Sequence, residues 1–220
     1  MARIARIVSP GMPHHVTQRG NRRQQTFFNN DDYRLYQALM SEWCKEYGVD
    51  IWAYCLMPNH VHLIAALKTK DSFKSAIGEA HRRYTRMVNF REGWRGHLWQ
   101  GRFSSFVLDE NYLLACTRYV ELNPVRASLV KNPEDWQWSS ASAHIKGKSD
   151  VLVNVTPLLR IIRNNWHDFL SKYPNEADIE LLRKHERTGR PLGEQTFLEN
   201  LESLLNRPLK PKKAGRKKKK

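Results

Sequence analysis

Two apolar runs, residues 51–57 and 61–67, are separated only by Pro58-Asn59-His60, and that spacing leaves little choice but a β-hairpin. Each run has strand length and strand-like side chains, and Pro-Asn is turn chemistry. The second run opens as His60-Val61-His62-Leu63-Ile64. On a strand, positions i and i+2 project from one face, so both imidazoles reach one point above the sheet and make a candidate metal clamp.

Periodic segments flank the hairpin on both sides. Residues 14–19 alternate loosely and end at Gly20-Asn21, a first strand and a turn carrying Arg19, Arg22 and Arg23. Over residues 31–47, Tyr33, Tyr36, Leu39, Met40, Trp43 and Cys44 recur at helical spacing, with Asn30 or Asp31 as N-cap and Gly48 as stop. Residues 72–90 repeat that spacing, with Arg82, Arg83 and Arg86 beside the apolar stripe. Residues 98–108 read as a strand with a bend or bulge at Gly101. Asp109 then caps a helix running to Asn123, before Pro124. This order predicts an α+β sandwich, an antiparallel sheet with helices on one face, close to the split βαβ (ferredoxin-like) pattern. Residues 1–150 hold that unit. Residues 151–206 read as an accessory helical extension with pieces at 155–164, 176–184 and 194–205, and residues 207–220 as a disordered basic tail.

The formal charge of +15 is unevenly placed: residues 206–220 hold nine basic residues and no acid, leaving +6 on residues 1–205. Such a chain favours a polyanion, and phosphate backbone is the commonest one. Cys44, Cys55 and Cys116 are odd in number and form no Cys-x-x-Cys pair, which argues against a disulfide framework and a thiolate zinc site. No apolar run approaches a membrane span and the start lacks a signal-peptide core, so a cytoplasmic protein without a membrane partner is expected.

On the helix before Pro124, Tyr112, Cys116, Tyr119 and Asn123 fall within an arc of roughly 60°, with Thr117, Arg118 and Glu121 outside it. Tyr119 alone is read as readily as a core aromatic, and Asn123 as a turn residue before proline. An amide in the middle of a sheet-facing stripe must find partners, however, or cost about 1–3 kcal/mol. The two histidines, without cysteine ligands nearby, suit a catalytic metal completed by an amide or carboxylate.

Four blocks together resemble the HUH single-tyrosine transposases, most closely the REP-associated tyrosine transposases of bacteria. They are His15-Val16-Thr17-Gln18-Arg19-Gly20-Asn21, Met57-Pro58-Asn59-His60-Val61-His62, Trp99-Gln100-Gly101-Arg102-Phe103 and Tyr119-Val120-Glu121-Leu122-Asn123-Pro124-Val125-Arg126-Ala127. The resemblance implies an RRM-like fold, His60 and His62 as ligands of Mg²⁺ or Mn²⁺, and Tyr119 as nucleophile. Asn123 stands where insertion-sequence relatives carry a glutamine ligand. The implied substrates are single-stranded DNA hairpins, cleaved and rejoined through a 5′-phosphotyrosine, and the implied assembly is either a homodimer exchanging the tyrosine helix or a monomer. Arg19, Arg22, Arg23, Arg82, Arg83 and Arg86 are the candidate DNA-binding residues. Two other classes remain open: a non-catalytic RRM-like binding module with structural histidines, and a metal-dependent phosphodiesterase that uses water and dispenses with the Tyr119 hydroxyl.

Overall fold

A computed structural model describes residues 4–163 and 165–209. Strand β1 (His14–Arg19) leads through a 3-10 turn at Asn21–Arg23 to helix α1 (Asn30–Glu46). The hairpin follows as β2 (Val49–Met57) and β3 (His60–Leu67), then α2 (Ser72–Glu92), β4 (Ser104–Val107) and α3 (Glu110–Glu121). Short helices come next: α4 (Asn123–Arg126), α5 (Ala141–Ile145), α6 (Thr156–Ile161) and α7 (Trp166–Ser171). Helices α8 (Glu176–Thr188) and α9 (Gln195–Leu205) close the described chain. The strands form one antiparallel sheet in the order β2-β3-β1-β4, the split βαβ arrangement.

Period-two alternation sorts the strand residues between the faces. Val16, Val61, Leu63, Ala65 and Leu67 join the core beneath α1 and α2, with Tyr36, Met40, Phe73, Ile77 and Tyr84. A register shift between Ile51 and Ala53 lets β2 feed both faces, Ile51, Tyr54 and Leu56 to that core and Ala53, Cys55 and Met57 to the other. The cap of helix α1 is Asn29, one residue before the two candidates, its side chain accepting from the Asp32 amide at 3.0 Å.

The two crossover helices share one face, but the opposite face is not bare. It carries a second core in which Ile64 and Phe106 meet Leu113, Cys116 and Val120 of α3 and Leu158, Trp166, Phe169 and Leu182 of the extension. Helix α3 therefore lies between the sheet and the C-terminal helices and is buried on two sides. Thr117 and Glu121, outside the expected apolar arc, are both fully buried for that reason.

Two segments differ in extent from their sequence pattern. Only Ser104–Val107 of residues 98–108 is strand; the rest turns alongside the end of β1, where Gln100 donates to Arg19 O and Gln18 Nε2 to Gly101 O. Of the tail expected to be disordered, Leu209 is buried with Ile7, Val107 and Leu201, and Arg207 bonds Ala5 O at 3.0 Å. Residues 210–220 lie outside the described residues. No described helix is long and apolar enough to cross a membrane.

Candidate active site

On the sheet face that carries α3 is an open cleft of about 770 Å³. Its floor is Thr17 and Arg19 of β1, His60 and His62 of β3 and Ser104 of β4; its walls are Tyr119 of α3, Asn123 and Arg126 of α4, residues 100–102, and Arg183, Glu186 and Arg187 of α8. Asp109 starts α3 by accepting from the Tyr112 amide at 2.8 Å. That cap and the apolar contacts of Leu113, Cys116 and Val120 fix the helix on the sheet, so Tyr119 comes to lie over the histidines. Tyr119 is 4% exposed. Its ring stands edge-on to His62 at 5.5 Å and to His15 at 6.2 Å, and the Arg126 guanidinium lies 4.5 Å from its centroid.

Both histidines of β3 have one nitrogen held. His60 Nδ1 lies 2.6 Å from Asn59 Oδ1, and the Asn59 amide donates in turn to Arg23 O. His62 Nδ1 lies 2.9 Å from Nε2 of His15, a fully buried residue of β1 whose ring stacks on His62. Neither the buried His62 Nε2 nor Glu186 Oε1 has a hydrogen-bond partner among the described residues. Among the described residues, His15, His62 and Glu186 also offer ligand atoms within 4.8 Å of one another. The cleft is thus rich in neutral nitrogen and oxygen donors, the kind of set that holds a divalent ion.

Among the described residues, Arg19, Arg23, Arg102, Arg126, Arg183 and Arg187 line the cleft against a single acid, Glu186. This field and burial shift the two imidazoles, the carboxyl and the phenol of the cleft. Burial, reinforced by Arg19 and Arg126, lowers the His60 pKa to about 3, and burial drives His62 well below its usual value. Burial pushes the Glu186 carboxyl up to about 7, although Arg19, Arg183, Arg126 and Arg187 pull the other way. The Tyr119 hydroxyl is raised, first by burial and then by the charge of Glu186, with Arg126 and Arg183 opposing.

The histidines make the fold sensitive to acid. Burial also lowers His14 to about 4, and His15 and His81 to about 3. In the unfolded chain these imidazoles take up protons near pH 6.5, whereas in the folded chain they stay neutral to much lower pH. Their contribution to stability is therefore complete above about pH 6.5 and is lost progressively as pH falls toward 3. A thermal-melt series from about pH 7.5 to about pH 4.5 is expected to show a midpoint that falls steadily below pH 6.

The structure brings Tyr119, His60, His62, Asn123, Arg19 and Arg23 into one cleft. Tyr119 and Asn123 do not share one helix: α3 ends at Glu121, and Asn123 opens α4, with Pro124 in its first turn. Arg22 lies beside Arg23 in the 3-10 turn and does not line the cleft. Arg82, Arg83 and Arg86 line a separate groove on α2, across the sheet from Tyr119, where Glu79 pairs with the first two. Sequence reasoning missed His15, Arg102, Arg126, Arg183, Glu186 and Arg187. His15 shares the period-two face of Thr17 and Arg19, but only the β1–β3 register shows that this face meets His62.

Gly20 sets the turn beneath the cleft. Arg22 and Arg23 take left-handed φ values of 52° and 62°, and a Cβ on Gly20 would lie 2.3 Å from Gln24 O, a backbone atom that cannot swing away. Gly20→Ala is expected to cost about 1–3 kcal/mol by forcing that turn open, measured as a lower urea midpoint. An unchanged midpoint would show that the turn relaxes freely.

Similarity to known proteins agrees with this geometry. A REP-associated tyrosine transposase of Escherichia coli K12 is 23% identical over 121 residues, 54% of this chain and 70% of the relative. A Haemophilus influenzae protein assigned to the same group is 24% identical over 124 residues, 51% of this chain and 70% of the relative. A solved REP-associated tyrosine transposase bound to a REP hairpin matches with a TM-score of 0.58 at 22% identity, over 70% of this chain and 93% of that one, a likeness of fold. The family model described as "Transposase IS200 like" matches residues 9–123, a span that holds β1 through Tyr119 and Asn123, and on that match the chain belongs to the IS200-like transposase family.

Proposed function

We propose that this transposase cleaves and rejoins single-stranded hairpin DNA, with Tyr119 as the nucleophile and a divalent ion, Mg²⁺ or Mn²⁺, in the cleft. The observation that carries the reading is the placement of one buried tyrosine against the His62 ring, inside a cleft lined by six arginines. A non-catalytic binding module has no need of this arrangement. The likeness to REP-associated relatives supports REP-like hairpins as the substrate class.

The donor set fits a divalent ion. His60 and His62 each have Nδ1 engaged by a neighbour, and His62 Nε2 is a buried nitrogen with no other partner. That is the pattern of ligating histidines whose second nitrogen is oriented by a supporting group. His60, His62 and the Asn123 side-chain oxygen would hold the ion, which when bound polarises the scissile phosphate and offsets charge in the transition state.

The remaining steps fall to the chain itself. The arginines hold the DNA backbone and place the scissile phosphate beside Tyr119. The Tyr119 oxygen attacks phosphorus and loses its proton; the phosphorus–3′-oxygen bond breaks, and the 3′-oxygen leaves to become a free 3′-OH. Arg126 and Arg183, which already oppose the rise of the Tyr119 pKa, stabilise the phenolate character that develops during attack. The resulting 5′-phosphotyrosine retains the energy of the broken bond, so a 3′-OH from another strand reverses the step and joins the new ends. Tyr119 is not activated at rest, since burial and Glu186 keep it a phenol until a phosphate enters.

The test is incubation of the protein with labelled hairpin DNA carrying single-stranded flanks, in Mn²⁺, followed by a denaturing gel. A labelled species at the mass of protein plus DNA is expected, and cleaved product without such a species would favour water as nucleophile.

A further inference from the structure

We infer that His15 and Glu186 are positioning residues for the metal-binding histidine His62, so that α8, beyond the segment shared with the family model, completes the active site. The inference rests on the reading of His60 and His62 as metal ligands given above.

The argument starts from which nitrogen of His62 is available. A neutral imidazole carries one proton and one lone pair, and a hydrogen bond at one nitrogen decides which atom is left to bind a ligand. His62 Nδ1 is taken up by His15 Nε2 at 2.9 Å, so Nε2, buried and without a partner, is the free atom. If His62 Nε2 is to present a lone pair, Nδ1 must carry the proton and donate it to His15 Nε2. His15 then carries its own proton on Nδ1. Among the described residues that N–H has no hydrogen-bond partner, and the acid beside it is Glu186, with Oε1 at 3.8 Å. The distance exceeds a hydrogen bond, but a negative charge there favours the tautomer with the proton on His15 Nδ1. Glu186 Oε1 lies at the same 3.8 Å from His62 Nδ1, so the carboxylate favours a proton on Nδ1 of both rings, acting on His62 directly and through His15.

The cleft lining separates the two roles. His62 lines the cleft, whereas His15 is fully buried and does not, which places His15 behind the ligand. Glu186 is held in place from several directions. Ser104 Oγ of β4 donates to its backbone oxygen at 2.7 Å, Asn175 caps the start of α8, and Gly189, at φ 69°, ends it. The chain then returns to the sheet, where Leu192 exchanges backbone bonds with Val107 and Asp109. Supporting groups around ligating histidines commonly contribute tenfold to a hundredfold in metal affinity.

The experiment uses the full chain and Mn²⁺ as probe, followed by calorimetry, with Glu186→Gln and His15→Gln beside wild type. Glutamine keeps the size of Glu186 while removing its charge, and at His15 it keeps a polar group. Mn²⁺ affinity is expected to fall roughly tenfold or more in each variant, with metal-free melting temperatures within a few degrees of wild type for Glu186→Gln. Long-range ¹H–¹⁵N spectra of the metal-free protein supply a readout that folding defects alone would not move. His62 is expected to be protonated at Nδ1 in wild type and to become a mixture of tautomers in Glu186→Gln. Wild-type binding of Mn²⁺ with an unchanged affinity and an unchanged His62 tautomer in Glu186→Gln would overturn this inference alone. Failure of wild type to bind Mn²⁺ would overturn the metal site itself and this inference with it.

Discussion

Tyr119→Phe is expected to abolish covalent attachment to DNA and to reduce strand cleavage roughly 10³-fold or more, because the variant lacks the hydroxyl proposed to attack phosphorus. The variant removes one oxygen and keeps the ring. Edge-on contacts with His62 and His15 and the Arg126 guanidinium above the ring involve carbon atoms that phenylalanine retains. The cost in stability is the loss of hydroxyl interactions with Arg126 and Arg183, about 1 kcal/mol. Affinity for hairpin DNA and its dependence on salt should persist, since both come from the arginines of the cleft. Fluorescence anisotropy at several salt concentrations and a denaturing gel on the same samples separate binding from chemistry. Cleavage that survived in the variant would shift the site to a water-using phosphodiesterase.

Glu121→Ala is expected to lower stability by about 3 kcal/mol and to loosen the active site at the same time. The residue is fully buried on α3, between Tyr119 and Asn123. Its carboxyl group accepts from Ser140 Oγ at 2.5 Å, His144 Nδ1 at 2.7 Å and Trp166 Nε1 at 2.8 Å, while His144 and Trp166 stack at 4.1 Å. One side chain thus ties the end of the tyrosine helix to α5 and α7. Removing it strands the His144 and Trp166 donors, leaves Ser140 Oγ only the Tyr54 carbonyl at 3.3 Å, and opens a cavity in the second core. Chemical denaturation should show the lower midpoint. DNA cleavage at a temperature where the variant stays folded should be reduced as well, because the position of Tyr119 depends on the same anchor. Destabilisation below about 1 kcal/mol would mean that water or neighbouring groups replace the carboxyl.

The parts of the fold legible in the sequence are those whose periodicity is intrinsic to one element. The hairpin around Pro58-Asn59, the stripe of α1 and that of α2 each bury one face, so spacing alone marks them. Helix α3 shows where that logic stops. Of the expected stripe of Tyr112, Cys116, Tyr119 and Asn123, Cys116 and Tyr119 are buried toward the sheet as their spacing indicates, but Glu121 is buried by a second layer that only the tertiary fold supplies. His60 and His62 stood out as an i, i+2 pair, whereas their partner His15 belongs to another strand and becomes visible only through register. In α8 the apolar pattern fades after Lys184, yet the helix continues to Thr188, and the residue that reaches His15 and His62 lies in that last turn. Leu209, set within a basic stretch, reads as tail by composition and is packed because Ile7 and Leu201 leave an apolar site for it.

The most direct test of the proposed chemistry is to identify the atom that carries the DNA. The protein is incubated with a hairpin substrate in Mn²⁺, the DNA trimmed with nuclease, and the digested protein mapped by mass spectrometry. The expected result is a nucleotide joined through its 5′-phosphate to the peptide that contains Tyr119, with unmodified peptide elsewhere. A nucleotide on any other residue, or cleaved DNA with no modified peptide, would contradict the assignment of Tyr119 as the nucleophile.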